Sequence, residues 1–167
     1  MKVRTDFVTN SSSSSFLLAF RSRKEGIEQI ANMEEQYGND IVTELLRDFC
    51  EKEPIPINEV CNNFKHEFEM DIYWMLDGYG GRGHKTFKDE WFEAHPNAKE
   101  KDYEESKEYA EEQQRMEQTC MMDLMNAIGD REYLVEIEYW DDDVIGRELE
   151  QNILPHQPFV AMQFSHH

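Results

Sequence analysis

Tyr133-Leu134-Val135-Glu136-Ile137-Glu138-Tyr139-Trp140 marks a change of period in the chain. Apolar side chains stand at 133, 135, 137 and 139, with Glu136 and Glu138 between them. Alternation of this kind puts one face of a strand on a core and the other toward water. Phe159-Val160-Ala161-Met162-Gln163-Phe164, which follows the breaks at Pro155 and Pro158, reads as a further strand. At the opposite end, Val3–Val8 and Ser15–Phe20 have the same short, Val/Phe/Leu-rich character. Strands at both ends of a chain with helical periodicity between them indicate an α+β fold. A small sheet from residues 3–8, 15–20, 132–140 and 159–164 is therefore expected to pack against several helices.

The intervening residues carry the helical period. Residues 24–37 place Ile27, Ile30, Ala31 and Tyr37 near one face, and Gly38 offers a stop. Residues 40–52 repeat the pattern with Ile41, Val42, Leu45, Leu46 and Phe49, until Pro54-Ile55-Pro56 ends it. Asn58 can cap a helix over 59–76 that carries Val60, Cys61, Phe64, Phe68, Ile72 and Met75. Gly78-Tyr79-Gly80-Gly81-Arg82-Gly83 is a loop. Thr86 and Asp89 have the spacing of a capping box, opening a short helix with Phe87, Trp91 and Phe92 that Pro96 ends. Asn97 and Glu100 then cap a long helix to Ile128, charged over 99–118 and apolar at Cys120, Met121, Leu124, Met125 and Ile128. Its charged turns are expected to project into solvent. Asp141-Asp142-Asp143 serve as turn and cap of a last helix through Ile153. The length suits one domain, 1–167, in three sections: a basic strand–Ser loop–strand over 1–20, helices over 24–128, and strand–helix–strand over 131–167.

Composition narrows the function classes. The 167 residues hold 17 Lys+Arg against 36 Asp+Glu, a formal net charge of −19. A chain of this charge lacks the basic footprint of a nucleic-acid binder, so no direct nucleic-acid binding is expected. Aromatic residues make up 12%, which argues against a disordered acidic tail. No run approaches the roughly 18 apolar residues that span a membrane, and no secretory signal pattern is visible, so a cytoplasmic location is expected. Cys50, Cys61 and Cys120 have neither disulfide-framework nor zinc spacing and read as small buried hydrophobes. No two of His66, His84, His95, His156, His166 and His167 make an HExxH pair. No metal, no cofactor and no catalytic residue is expected from these patterns.

The acid is unevenly spread. Residues 1–24 carry Lys2, Arg4, Arg21, Arg23 and Lys24 against Asp6 alone, a net +4, which leaves −23 for the remainder. Between the first two strands lie Thr9, Asn10 and the run Ser11 to Ser15. Serine hydroxyls compete with ladder hydrogen bonds, which favours a loop here. Successive N–H groups and hydroxyls can form an anion nest, and a phosphorylated serine would sit near Arg4 and Arg21. The candidate recognition or ligand residues are thus Asn10, Ser11, Ser12, Ser13, Ser14, Ser15, Arg4 and Arg21. Arg82, His84 and Lys85, beside the glycine loop, are second choice.

Thr5-Asp6-Phe7-Val8-Thr9-Asn10-Ser11-Ser12-Ser13-Ser14-Ser15-Phe16 resembles the N-terminal signature of a group of small, uncharacterised bacterial proteins that share a DFVTNSSSSSF opening. The resemblance covers about a dozen residues. It implies a bacterial, cytosolic protein with a special use for its opening segment, and no reaction, cofactor or catalytic residue. Two functions compete. One is a non-catalytic interaction or modification-substrate protein, recognised through the serine loop and offering its acidic helices, chiefly 98–118, to a basic protein partner. The other is a phosphate- or nucleotide-type ligand-binding protein or enzyme with its site at the serine loop.

Overall fold

The computed structural model describes residues 13–77, 85–140 and 144–166. The fold is α+β: helices pack with a three-stranded antiparallel sheet of order β2-β1-β3. β1 is Ser13–Phe20, β2 is Tyr133–Trp140 and β3 is Val160–His166. Both outer strands run antiparallel to β1, so they are parallel to each other with β1 between them. The expected strand 3–8 lies outside the described residues.

β1 begins at Ser13, not at Ser15. The expected serine loop is corrected here for Ser13, Ser14 and Ser15, which are ladder residues. Ser13 stands opposite Trp140 and His166, Ser14 opposite Tyr139 and Ser165, and Ser15 opposite Glu138 and Phe164. The reason is that strand preference is set mainly by neighbours. β2 and β3 both extend along the serines, and pairing on two edges outweighs the local hydroxyl bonds that favour a turn. All eight residues of β1 are buried. On the β3 side the register shifts between Leu17, opposite Met162, and Leu18, opposite Val160, and so leaves Ala161 as a bulge.

Packing separates the chain into two compact units, residues 1–60 with 123–167 and residues 61–122. The first holds the sheet. Phe16, Leu18 and Phe20 of β1 and Val135, Ile137 and Tyr139 of β2 join one core with α1 (Arg23–Ala31) and α3 (Asn39–Glu51). α1 contributes Ile30, and α3 contributes Val42, Leu45 and Phe49. The expected helix 24–37 is two pieces, α1 and α2 (Glu34–Tyr37), because the chain turns at Asn32-Met33. Met33 joins the core and Ala31 is exposed. Ser22 caps α1 by accepting from Glu25 N at 3.2 Å.

The last helix also differs from expectation. α4 (Ile57–Asp77), α5 (Phe87–Ala94), α6 (Glu100–Glu104) and α7 (Lys107–Ile128) precede β2, and α8 (Val144–Glu148) follows it. α8 widens into a π turn over Leu149–Ile153 and tightens to a 3-10 turn over Leu154–His156. Leu149, Ile153 and Leu154 enter the core. The expected cap, Asp141–Asp143, lies outside the described residues. Arg131 fastens the end of α7 to the sheet. Its guanidinium donates to the carbonyls of Ile128 (2.8 Å), Ala19 (3.1 Å) and Pro158 (3.2 Å), and also to that of Ala127. A cation over the last carbonyls of a helix is favourable.

In the second unit Phe64, Phe68, Ile72 and Leu76 of α4 are buried at a strict spacing of four, whereas Met75 is exposed. The Thr86–Asp89 capping box is present. Thr86 Oγ1 accepts from Asp89 N at 3.2 Å, and Asp89 Oδ2 accepts from Thr86 N at 3.0 Å. These bonds hold the Asp89 carboxyl below its usual pKa. The expected helix 97–128 is broken into α6 and α7, with Ser106 Oγ accepting from Tyr109 N at 3.1 Å. Asp102, rather than Asn97 or Glu100, supplies the start of α6 by accepting from Lys99 N at 2.8 Å. Its charged turns do not simply project into solvent, because Tyr103 is fully buried. In α7, Cys120 of this unit is buried, and beyond it, in the part of α7 that belongs to the first unit, Leu124 and Ile128 are buried and Met125 is exposed. Cys120 is the buried thiol expected, Cys61 is half-buried, and Cys50 is exposed because it falls on the outer side of α3. No helix among the described residues is long and apolar enough to cross a membrane.

Gly26 shows how tightly α1 sits on the first core. A Cβ there would lie 2.4 Å from Phe49 Cζ and 3.1 Å from Phe20 Cδ2. Phe20 and Phe49 are fully buried and meet edge to face at 5.3 Å. Overpacking costs about 1–3 kcal/mol, against a helix-propensity gain of up to about 1 kcal/mol for alanine. Gly26→Ala is expected to lower stability by about 1–2 kcal/mol and Tm by a few degrees. An unchanged or higher Tm in a thermal melt would show that the Phe49 ring yields freely.

Candidate functional site

The residues singled out by sequence do not converge in the described part of the molecule. Arg4, Asn10, Ser11, Ser12, Arg82 and His84 lie outside the described residues. Arg21 is mostly exposed and pairs with Asp130 at 3.4 Å. Lys85 places its ammonium 2.7 Å from both carboxylate oxygens of Glu93, which raises its pKa. Ser13, Ser14 and Ser15 are 2%, 1% and 5% exposed, so a kinase or a free anion has no open approach to their hydroxyls.

What Ser14 does instead is structural. Its Oγ donates to Glu150 Oε1 at 2.7 Å. Glu150 is 5% exposed, and its Oε2 has no hydrogen-bond partner among the described residues. The π turn accounts for this placement. Adding a residue per turn brings Glu150 inward beside Leu149, and π turns frequently mark functional positions. A carboxylate with one oxygen unsatisfied is costly to bury. Nearby, Tyr139 donates its hydroxyl proton to Asp48 Oδ2 at 2.9 Å. Burial first, and then the Asp48 charge, push the Tyr139 pKa well above the ordinary phenol value.

A different concavity lies wholly within the second unit. Phe87, Glu90 and Trp91 of α5 face Glu108, Glu111, Glu112 and Arg115 of α7 across an open groove of about 400 Å³. Tyr103 sets the spacing of this aromatic layer. Its ring centroid is 5.4 Å from Trp91, 5.8 Å from Phe92, 4.9 Å from Tyr109 and 6.4 Å from Phe87. Trp91 stacks on His95 at 4.2 Å, and its Nε1 is buried without an acceptor among the described residues. Burial, and after it Asp77, raise the Tyr103 pKa, so the phenol stays neutral.

The rim divides by commitment. Arg115 Nε donates to Glu112 Oε2 at 2.8 Å, and this pairing holds the Glu112 carboxyl below its usual pKa. Glu111 pairs with Lys107 at 2.8 Å. Glu90 and Glu108, both exposed, have no ion pair among the described residues. An aromatic floor beneath two uncommitted carboxylates can hold a cation that has an apolar stem. The sequence shows only parts of this site. Phe87 and Trp91 are four apart on α5, and Glu108, Glu111, Glu112 and Arg115 share one stripe of α7. The burial of Tyr103, which joins the two, is not visible in the charged run around it. Among the described residues no three His, Cys, Asp or Glu side chains form a metal-binding group. The chain matches no family model, no curated protein and no solved structure.

The Ser14–Glu150 pair gives a measurable expectation. Ser14→Ala removes the donor and leaves the carboxylate buried alone, at a cost of about 1–3 kcal/mol. Removing both partners in Ser14→Ala/Glu150→Leu is expected to recover most of that loss, because two apolar groups need no hydrogen bond. Urea denaturation of the two variants checks the order. A double variant no more stable than Ser14→Ala would show that the bond is not what the burial depends on.

Proposed function

We propose that this chain is a non-catalytic interaction protein of a bacterial cytosol that docks a basic protein partner on its acidic helices. The observation that carries this reading is the pair Glu90 and Glu108, exposed carboxylates that line a groove with half-buried Phe87 and buried Trp91 and make no ion pair among the described residues. Residues 61–122 hold fifteen acidic against eight basic residues, a net −7. A field of one sign steers an oppositely charged partner and selects against acidic ones. The phosphate-binding alternative has weaker support, since Arg21 and Lys85 are already paired with carboxylates.

The serine opening keeps a possible recognition part only at Asn10, Ser11 and Ser12, because Ser13–Ser15 are ladder residues. If a partner enzyme modifies this segment in the native host, intact-mass and peptide mapping will locate the added mass on Ser11 or Ser12. Mass added on Ser13, Ser14 or Ser15 of the folded protein would contradict the assignment.

The interaction reading is tested with a fluorescein-labelled arginine–serine peptide of about ten residues, the length of a linear recognition motif. Anisotropy is expected to show saturable binding of the full chain. The affinity should fall about tenfold between about 50 and 300 mM salt, as screening shortens the range of surface charge. A matched glutamate–serine peptide should not bind. Absence of binding at low salt, or equal binding of both peptides, would overturn the reading.

A further inference from the structure

We infer that the α5–α7 groove is the docking site for one arginine or lysine side chain of a basic, extended peptide segment. This rests on the interaction reading above and adds a location and a chemistry to it. The groove combines two surfaces that single-charge clusters lack. Phe87, half-buried, and Trp91, 8% exposed, supply an apolar floor, and Glu90 and Glu108, which make no ion pair among the described residues, supply anions at its rim. An arginine or lysine side chain has the same division, a hydrocarbon stem and a charged head. The stem covers the aromatic surface while the head meets the carboxylates, which for guanidinium allows paired, charge-assisted hydrogen bonds.

The groove's own cation does not fill this role. Arg115 lies at the rim but is turned to Glu112, with its Nε on Oε2 at 2.8 Å. Lys107 is turned to Glu111 at 2.8 Å. Two carboxylates of the four are therefore neutralised from within, and the other two line the groove with no ion pair among the described residues, Lys85 and Lys107 acting on Glu90 and Glu108 only through longer-range attraction. The volume, about 400 Å³, admits a side chain of this size with room for the adjoining backbone. The groove is open along its length, whereas small-molecule sites enclose most of their ligand. That shape favours a segment of polypeptide over a free amine. The capping box at Thr86–Asp89 and the burial of Tyr103 fix both walls, so the site is formed before the partner arrives.

The test uses the full chain and the same labelled arginine–serine peptide. Glu90→Gln/Glu108→Gln keeps size and exposure and removes both anions. It is expected to weaken binding at least about tenfold, the scale of one well-made charge-assisted contact. The control Glu34→Gln/Glu35→Gln removes two exposed carboxylates from α2 in the other unit. It should change affinity by less than about twofold, as expected for long-range charge screened by salt. Phe87→Ala, compared at equal folding by circular dichroism, should weaken the arginine peptide through lost floor area, and unchanged affinity would remove the apolar floor from the assignment. If both charge pairs weaken binding equally, the peptide follows the diffuse field and the groove assignment fails while the interaction reading stands. If the wild-type chain does not bind the peptide, the interaction reading itself fails.

Discussion

β1 is held on both edges and both faces, and the first unit is organised around that confinement. A central strand of eight residues exchanges backbone hydrogen bonds with β2 along its whole length and with β3 through a single bulge. Backbone groups buried this deeply must be paired, so the ladder cannot be given up locally. The consequence reaches the serines. Once both neighbours extend past Phe16, the chain before it has to continue as strand, whatever its side chains prefer in isolation. Small hydroxyl residues suit the position, since their neighbours include Trp140, Tyr139 and Phe164. The same confinement makes Glu150 intelligible. A hydroxyl on the inner face of a buried strand needs an acceptor, and the π turn brings a carboxylate to Ser14 at 2.7 Å.

Residues 61–122 solve the opposite problem. They are rich in charge and short of apolar side chains, so a few large rings must supply the core. Tyr103 is the clearest case. Among the described residues it is the largest fully buried side chain and meets four other aromatic rings, and it lies in a five-residue helix between acidic residues. A buried ring of this size contributes about 1.5–3 kcal/mol by area alone, with a further contribution from edge-on ring contacts. One residue thus anchors α6, and the charges around it are left at the surface. The ion pairs there, such as Lys101–Glu105 and Lys107–Glu111, are exposed i,i+4 contacts that contribute little to stability. They set the pattern of charge more than they hold the fold.

The legibility of the sequence followed from how much of each pattern is local. β2 was readable because alternation over Val135 to Trp140 has only one half-buried solution, although Leu134, read as lying off the core face, is buried as well. The capping box was readable because both of its bonds lie within four residues. The helical stripe of α4 was readable in period and misplaced by one residue at its end, where Leu76 rather than Met75 turns inward. The serines and Tyr103 were misread for a shared reason. In each case the deciding partner is far along the chain: Glu150 is 136 residues from Ser14, and Leu76, whose carbonyl lies 3.5 Å from the Tyr103 hydroxyl, is 27 residues away. Local preference says little where a distant element decides burial. The candidate groove divides the same way. Its acidic wall on α7 is a one-helix pattern, whereas its pairing with Phe87 and Trp91 on α5 exists only in three dimensions.

This contrast bears on where recognition can reside. A strand buried on both faces offers no side chain to a partner without local unfolding, and opening a central strand costs nearly the global stability. Serines at 13–15 therefore serve packing and hydrogen bonding within the fold. A groove between α5 and α7 faces no such barrier, since Glu90 and Glu108 are exposed and Phe87 is half-exposed at its floor. Covering the exposed part of the Phe87 ring by an apolar group would be favourable. Of the described residues in the two regions that the sequence sets apart, Ser13–Ser15 are enclosed by the fold, whereas the carboxylates of the acidic helices, Glu90 and Glu108 among them, stand at the surface.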